Sequence, residues 1–118
     1  MPVKRGDIVL ARVPHTAGTR GKRRPAAVIQ ADAYNATLNH VVVAELTSNP
    51  RWTADPACLF IDVSTPEGQA TGLHQNGVVS CLHLVTMSAD RLGTPIGVLS
   101  PAHLVQLDVC LKAALGLP

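Results

Sequence analysis

Apolar residues along this chain fall into short runs broken by proline, glycine and asparagine, a pattern of brief strands rather than long helices. Asp7 to Val13 alternates in character and is stopped by Pro14. Ala26 to Gln30 reads as a second strand, and Pro25 ahead of it restricts Arg24 to extended geometry. His40 to Leu46 is a β-branched run after the turn-rich stretch Tyr34 to Asn39, so it is expected as a buried central strand. Asn49-Pro50 and Asp55-Pro56 mark Thr47 to Pro56 as a loop, and Leu59 to Val63 forms another short strand. Ser64 to Asn76 is polar and carries glycine and proline; Gly77 to Met87 is the longest β-prone run, and Ile96 to Leu99 supplies a last short strand.

One segment has helical spacing instead. Ser100 is placed to cap it, Pro101 suits its first turn, Leu104, Leu107, Leu111 and Leu115 form a stripe, and Gly116 closes it. Such a stripe docks on the sheet of its own domain or shares in a dimer interface. Short strands with a single helix predict a mainly β (α+β) fold: a small, strongly curled antiparallel sheet or barrel with a C-terminal helix. Residues 1–118 suit one domain, with a core built from Val, Leu, Ile and Ala.

Composition narrows the function classes. Trp52, Tyr34 and Phe60 are the whole aromatic inventory, which argues against an aromatic platform stacking several bases. No window reaches the roughly 20 apolar residues of a membrane span, and no apolar signal region opens the chain, so a cytoplasmic location away from membranes is expected. Cys58, Cys81 and Cys110 are odd in number and far apart, which reads as small buried hydrophobes.

Charge changes the picture more. Of the 10 Lys and Arg residues, seven fall in the first 24 positions, opposed by Asp7 alone; the remainder of the chain is net acidic. The overall charge of +2 thus hides a dipolar split that suggests a basic face for a phosphate backbone. Its sharpest part runs from Pro14 through His15, Gly18, Thr19, Arg20, Gly21 and Lys22 to Arg23, where glycines allow close backbone approach and cations meet the ligand.

Several ordered pieces of the chain resemble the MazF/PemK family of toxin endoribonucleases. They are Lys4-Arg5-Gly6-Asp7-Ile8-Val9-Leu10, the glycine and cation loop, Arg24-Pro25-Ala26-Ala27-Val28-Ile29-Gln30, and Leu46-Thr47-Ser48-Asn49. Ala70-Thr71-Gly72-Leu73, Val78-Val79-Ser80 and Ile96-Gly97-Val98-Leu99-Ser100 continue the likeness in the same order. The resemblance implies an SH3-like barrel, usually a homodimer, that cleaves single-stranded RNA at short sequences and is restrained by a cognate antitoxin. It also implies that Arg24 and Thr47 match the family's catalytic Arg and Thr.

The chemistry fits those residue types. Metal-free RNA cleavage by 2′-hydroxyl attack, giving 2′,3′-cyclic phosphate and 5′-hydroxyl ends, needs stabilised phosphoryl charge and two proton transfers. Arg24 offers planar donors that stay charged, and the Thr47 hydroxyl can hold a phosphate oxygen. The chain departs from the family pattern at the proton acceptor. Thr19 stands where many relatives carry Glu, and Ser80 and Leu82 stand where the PemK branch carries Arg and Asp. His15, Glu45 and His74 are the remaining candidates. Expected RNA contacts are Thr19, Arg20, Lys22, Arg23, Ser48 and Arg51, with Gln30 and Asn49 reading base edges and Trp52 either stacking on a base or anchoring its loop. His40, His83 and His103 share no metal-ligand spacing with the others, so neither metal nor cofactor is expected. The alternatives are an inactive or gyrase-binding, CcdB-like module on the same fold, or a small regulatory protein that binds nucleic acid.

Overall fold

Six strands pair side by side into one sheet in the order β4-β5-β3-β2-β1-β6, every neighbouring pair antiparallel. In chain order they are β1 (Asp7–Arg12), β2 (Arg23–Val28), β3 (His40–Thr47), β4 (Cys58–Ile61), β5 (Gly77–Ser88) and β6 (Gly97–Val98). The described residues also form three α-helices: α1 (Asp32–Asn35) between β2 and β3, α2 (Pro66–Ala70) between β4 and β5, and α3 (Pro101–Leu115) after β6. The structure is a computed structural model that describes residues 2–12 and 23–118. The sheet curls into a half-barrel with α3 against it, so the fold is mostly β with a C-terminal helix.

The alternation of each strand feeds two cores on opposite faces. Ile8, Ala27, Ala44, Leu46, Leu59, Ile61 and Val79 gather with Leu107 and Cys110 of α3 on one face. Val9, Ala11, Ala26, Val28, Val41, Val43 and Met87 gather on the other. Both faces of the inner strands are therefore apolar, which explains why Ala26 to Val28 and Val41 to Ala44 read as unbroken hydrophobic runs.

Two departures from regular pairing shape one end of the sheet. The β2–β3 ladder stops at Ala26 opposite Glu45, one residue short of Pro25, which has no N–H to extend it. On the other side of β3, Ala44 faces Leu84 while Glu45 faces Ser80, so Cys81, Leu82 and His83 occupy an irregular step in β5. A 2.7 Å hydrogen bond between Ser80 Oγ and His83 Nδ1 closes that step.

Helix α3 begins where its capping residues predict. Ser100 Oγ accepts from the His103 N–H, Pro101 occupies the first turn, and Gly116 ends the helix in the left-handed conformation at φ 69°. Its buried stripe is Leu104, Leu107, Cys110, Leu111 and Ala114 rather than the leucines alone; Leu115 is turned out to solvent. Cys110 and Ala114 replace it because they lie three and seven positions after Leu107, on the face already buried.

The polar segment Ser64 to Asn76, for which no element was expected, contains α2. Thr65 Oγ1 accepts from the Gly68 N–H and Pro66 fills the first turn, a local start signal too short to show as periodicity. α1 begins at Asp32 and runs into the first two residues of the turn-rich stretch before β3. The strand expected at Leu59 to Val63 is shifted to Cys58–Ile61, because the Val63 N–H donates to Asn76 Oδ1 instead of to a strand. Among the described residues, no helix is long and apolar enough to cross a membrane.

Candidate functional site

Beyond the last rung between β2 and β3 the chain opens into a groove of about 540 Å³. Arg24 and Pro25 form one bank, Leu46, Thr47 and Ser48 the other. Leu10 and Ile96 contribute apolar surface, and the segment from Gly72 to Gly77 makes the far wall. That wall is held by close backbone packing: Gly72 adopts φ +76°, and a Cβ there would sit 2.2 Å from the Ile96 carbonyl oxygen.

Three polar groups on the groove bear on its chemistry. Arg24 is exposed and has no carboxylate partner among the described residues, where the one ion pair joins Arg5 to Asp108. Its charge is thus available to an anion. Thr47 is half-buried at the end of β3, and its Oγ1 accepts the Asn49 N–H at 3.1 Å. With that lone pair engaged, the hydroxyl proton is left to donate outward. His74, exposed on the far wall, supplies a titratable nitrogen on the same groove.

The expected site residues therefore divide. Arg24, Thr47, Ser48 and His74 come together on one groove. Asn49 lies next to it, where its side chain accepts from the Arg51 N–H and caps the single turn Pro50–Trp52. Arg51 stacks its guanidinium over the Trp52 ring at 4.8 Å, and Trp52 meets His83 edge-on at 5.8 Å. Trp52 is half-buried, so it anchors its loop while keeping one part exposed. The Arg23 guanidinium lies beside Gly93, and Arg23 does not line the groove.

Two residues are relocated by the structure. Gln30, expected to read a base edge, donates from Nε2 to Asn35 Oδ1 and the His40 carbonyl and accepts the Val42 N–H, so its amide is consumed in tying α1 to β3. Glu45, expected as a proton acceptor beside Thr47, is half-buried at the irregular step of the sheet and does not line the groove. His15, Thr19, Arg20 and Lys22 lie outside the described residues.

Sequence reasoning missed Gln75 and Asn76 on the far wall and Leu10 and Ile96 at its edge. The polar composition of Ser64 to Asn76 was the available signal, but nothing local says which part of such a segment turns toward Arg24. Among the described residues there is no group of three or more His, Cys, Asp or Glu side chains arranged to hold a metal ion.

Comparison with known proteins shows the family and the fold. The sequence profile described as "PemK-like, MazF-like toxin of type II toxin-antitoxin system" matches residues 4–115. Endoribonuclease MazF6 of Mycobacterium tuberculosis is 32% identical over 119 residues, covering 99% of this chain and 100% of the relative. Endoribonuclease MazF of Staphylococcus epidermidis is 28% identical, covering 98% of this chain and 92% of its own length. A mycobacterial endoribonuclease solved in complex with its cognate antitoxin superposes with a TM-score of 0.78 at 24% identity, covering 98% of this chain and 97% of that one.

Proposed function

This chain belongs to the PemK-like, MazF-like toxins of type II toxin-antitoxin systems, and we propose that it is an endoribonuclease that cuts single-stranded messenger RNA at a short sequence. The observation that carries this reading is the convergence of Arg24 and Thr47, distant in sequence, on one groove.

The mechanism follows from what each group can do. A ribose 2′-hydroxyl attacks the adjacent phosphorus, the P–O5′ bond breaks, and the products carry a 2′,3′-cyclic phosphate and a 5′-hydroxyl. Negative charge grows on the non-bridging oxygens as the phosphorus becomes five-coordinate. Arg24 meets that charge with paired N–H donors, and the Thr47 hydroxyl donates to a phosphate oxygen to fix the line of attack. His74 accepts the 2′-hydroxyl proton and can return one to the departing O5′. The guanidinium supplies the charge stabilisation that a cation would otherwise provide, so the reaction is read as metal-independent. Arg51 and Trp52, beside the groove, hold the strand as it leaves.

The same cationic groove suits an acidic, extended segment of a cognate antitoxin, which would compete with RNA for Arg24. That the relative solved with its antitoxin covers nearly this whole chain supports such a partner. A homodimer and a cytoplasmic location, where messenger RNA is met, complete the reading.

The test is to incubate the purified protein with a long single-stranded RNA in EDTA. Discrete fragments with 2′,3′-cyclic ends, slowed about 10²-fold or more by Arg24→Ala, are expected. Intact RNA, or cleavage indifferent to that substitution, would overturn the reading.

A further inference from the structure

A second recess, of about 210 Å³, opens beside the groove and shares Thr47, Ser48, Asn76 and Gly77 with it. Its outer side is formed by Asn49, Thr53 and Phe60. Phe60 stands in β4, whose neighbours Leu59 and Ile61 are buried, yet it keeps 41% of its surface exposed. An aromatic ring left open beside a phosphate-binding groove is a surface on which one base can stack.

The two asparagines give this recess a polarity. Asn49 Oδ1 accepts the Arg51 N–H at 3.0 Å, and Asn76 Oδ1 accepts the Val63 N–H at 2.8 Å. Because a backbone donor holds each oxygen, the orientation of each amide is fixed, and neither Nδ2 has a partner among the described residues. The recess thus presents amide donors on two sides. A base with carbonyl acceptors and no exocyclic amino group fits such walls best, and among the four RNA bases that base is uracil.

We propose, resting on the nuclease reading above, that this recess is the specificity pocket for a nucleotide next to the scissile phosphate. Phe60 stacks on its base, and Asn49 and Asn76 select uracil through its carbonyl oxygens. Thr47 forms the shared wall, so the base in the recess and the phosphate at Arg24 belong to neighbouring nucleotides.

Sequencing the ends of fragments cut from a long RNA tests this, because the base frequency on either side of the cut is read directly. Wild-type protein is expected to favour uracil at one adjoining position, and a synthetic substrate with cytosine there, which exchanges the O4 acceptor for an N4 donor without changing ring size, is cut about tenfold more slowly. Asn49→Asp and Asn76→Asp keep the oxygen that each backbone N–H needs and remove the donor, so both should move the preference at that position from uracil toward cytosine. Phe60→Ala should raise KM roughly tenfold with a smaller change in kcat. Cleavage with no preference, with a base other than uracil, or with a preference untouched by both Asp variants overturns the pocket and leaves the nuclease reading standing. Intact RNA with the wild-type protein overturns both.

Discussion

Arg24 and Thr47 each lie two residues past the Ala26–Glu45 pair, on adjacent antiparallel strands, and both line the same groove. Residues so related across neighbouring strands share a face, which brings the two proposed catalytic groups together despite their separation along the chain. Thr47→Val should lower kcat/KM on a short cleavable oligonucleotide by about 10- to 100-fold, and Thr47→Ser should recover most of the loss. If the two groups act on one phosphate, as proposed, adding Thr47→Val to Arg24→Ala should cost less than the product of the single effects.

His74 lines the groove with this pair, whereas Glu45 does not. His74→Ala should reduce kcat by about 10²-fold with little change in KM and alter the pH profile of cleavage. Glu45→Gln should leave the profile in place. The reverse result would return the proton transfer to the carboxylate.

The far wall depends on a glycine contact. A Cβ at Gly97 would lie 2.2 Å from the Thr71 carbonyl carbon and 2.4 Å from the Ala70 carbonyl oxygen, both backbone atoms that cannot swing aside. Gly97→Ala should therefore destabilise the protein by about 1–3 kcal/mol in urea titration and displace the segment that carries His74. Gly116→Ala meets no atom within 4 Å but must hold φ +69°, so it should cost only about 1 kcal/mol and leave cleavage intact.

Acid sensitivity should trace partly to Asp32. Its carboxylate accepts the Arg5 N–H at 2.7 Å, and that bond, assisted by Asn35, holds its pKa below the usual value against a smaller opposing effect of burial. A depressed carboxylate stabilises the fold at neutral pH, and that contribution is lost as pH falls through the folded-state value. Asp32→Asn should thus lower Tm at neutral pH and flatten its decline in acid. An unchanged acid limb in thermal melts would contradict this.

The cysteines report folding rather than chemistry. Burial pushes the Cys81 thiol up to about 12 and raises those of Cys58 and Cys110 as well. Reactive thiolate is therefore scarce in the native state. Alkylation at mildly alkaline pH should be slow for all three and become fast only in denaturant, as followed by mass spectrometry.

Much of the fold was legible because its signals are local. The β-branched run His40 to Leu46 and the caps Ser100 and Gly116 each act within a few residues. The observed β3, extending to Thr47, and α3 follow from them, whereas the stop expected at Pro14 lies outside the described residues. Helix α2 was missed because five residues are too few to establish a period. Leu115 was misplaced because helical spacing tells which residues share a stripe but not where the packing surface ends. Gln30 and Glu45 looked suitable by residue type and nearness to Arg24 and Thr47, yet hydrogen bonding to Asn35, His40 and Val42 removes the first, and a position off the groove removes the second.

The sequence by itself determined the supply of chemistry: a cationic stretch within the first 24 residues, an Arg held extended by the following proline, a Thr at the end of a buried strand, and a core without aromatic bulk. Only the tertiary structure decided which of these groups meet. That depends on the register of β2 against β3, on the ladder ending beside Pro25, and on Gly72 and Gly97 letting a distant segment close against the sheet. Propensity and capping act over a few bonds, whereas a groove is built from backbone contacts between residues far apart in the chain, and no local pattern encodes their distances.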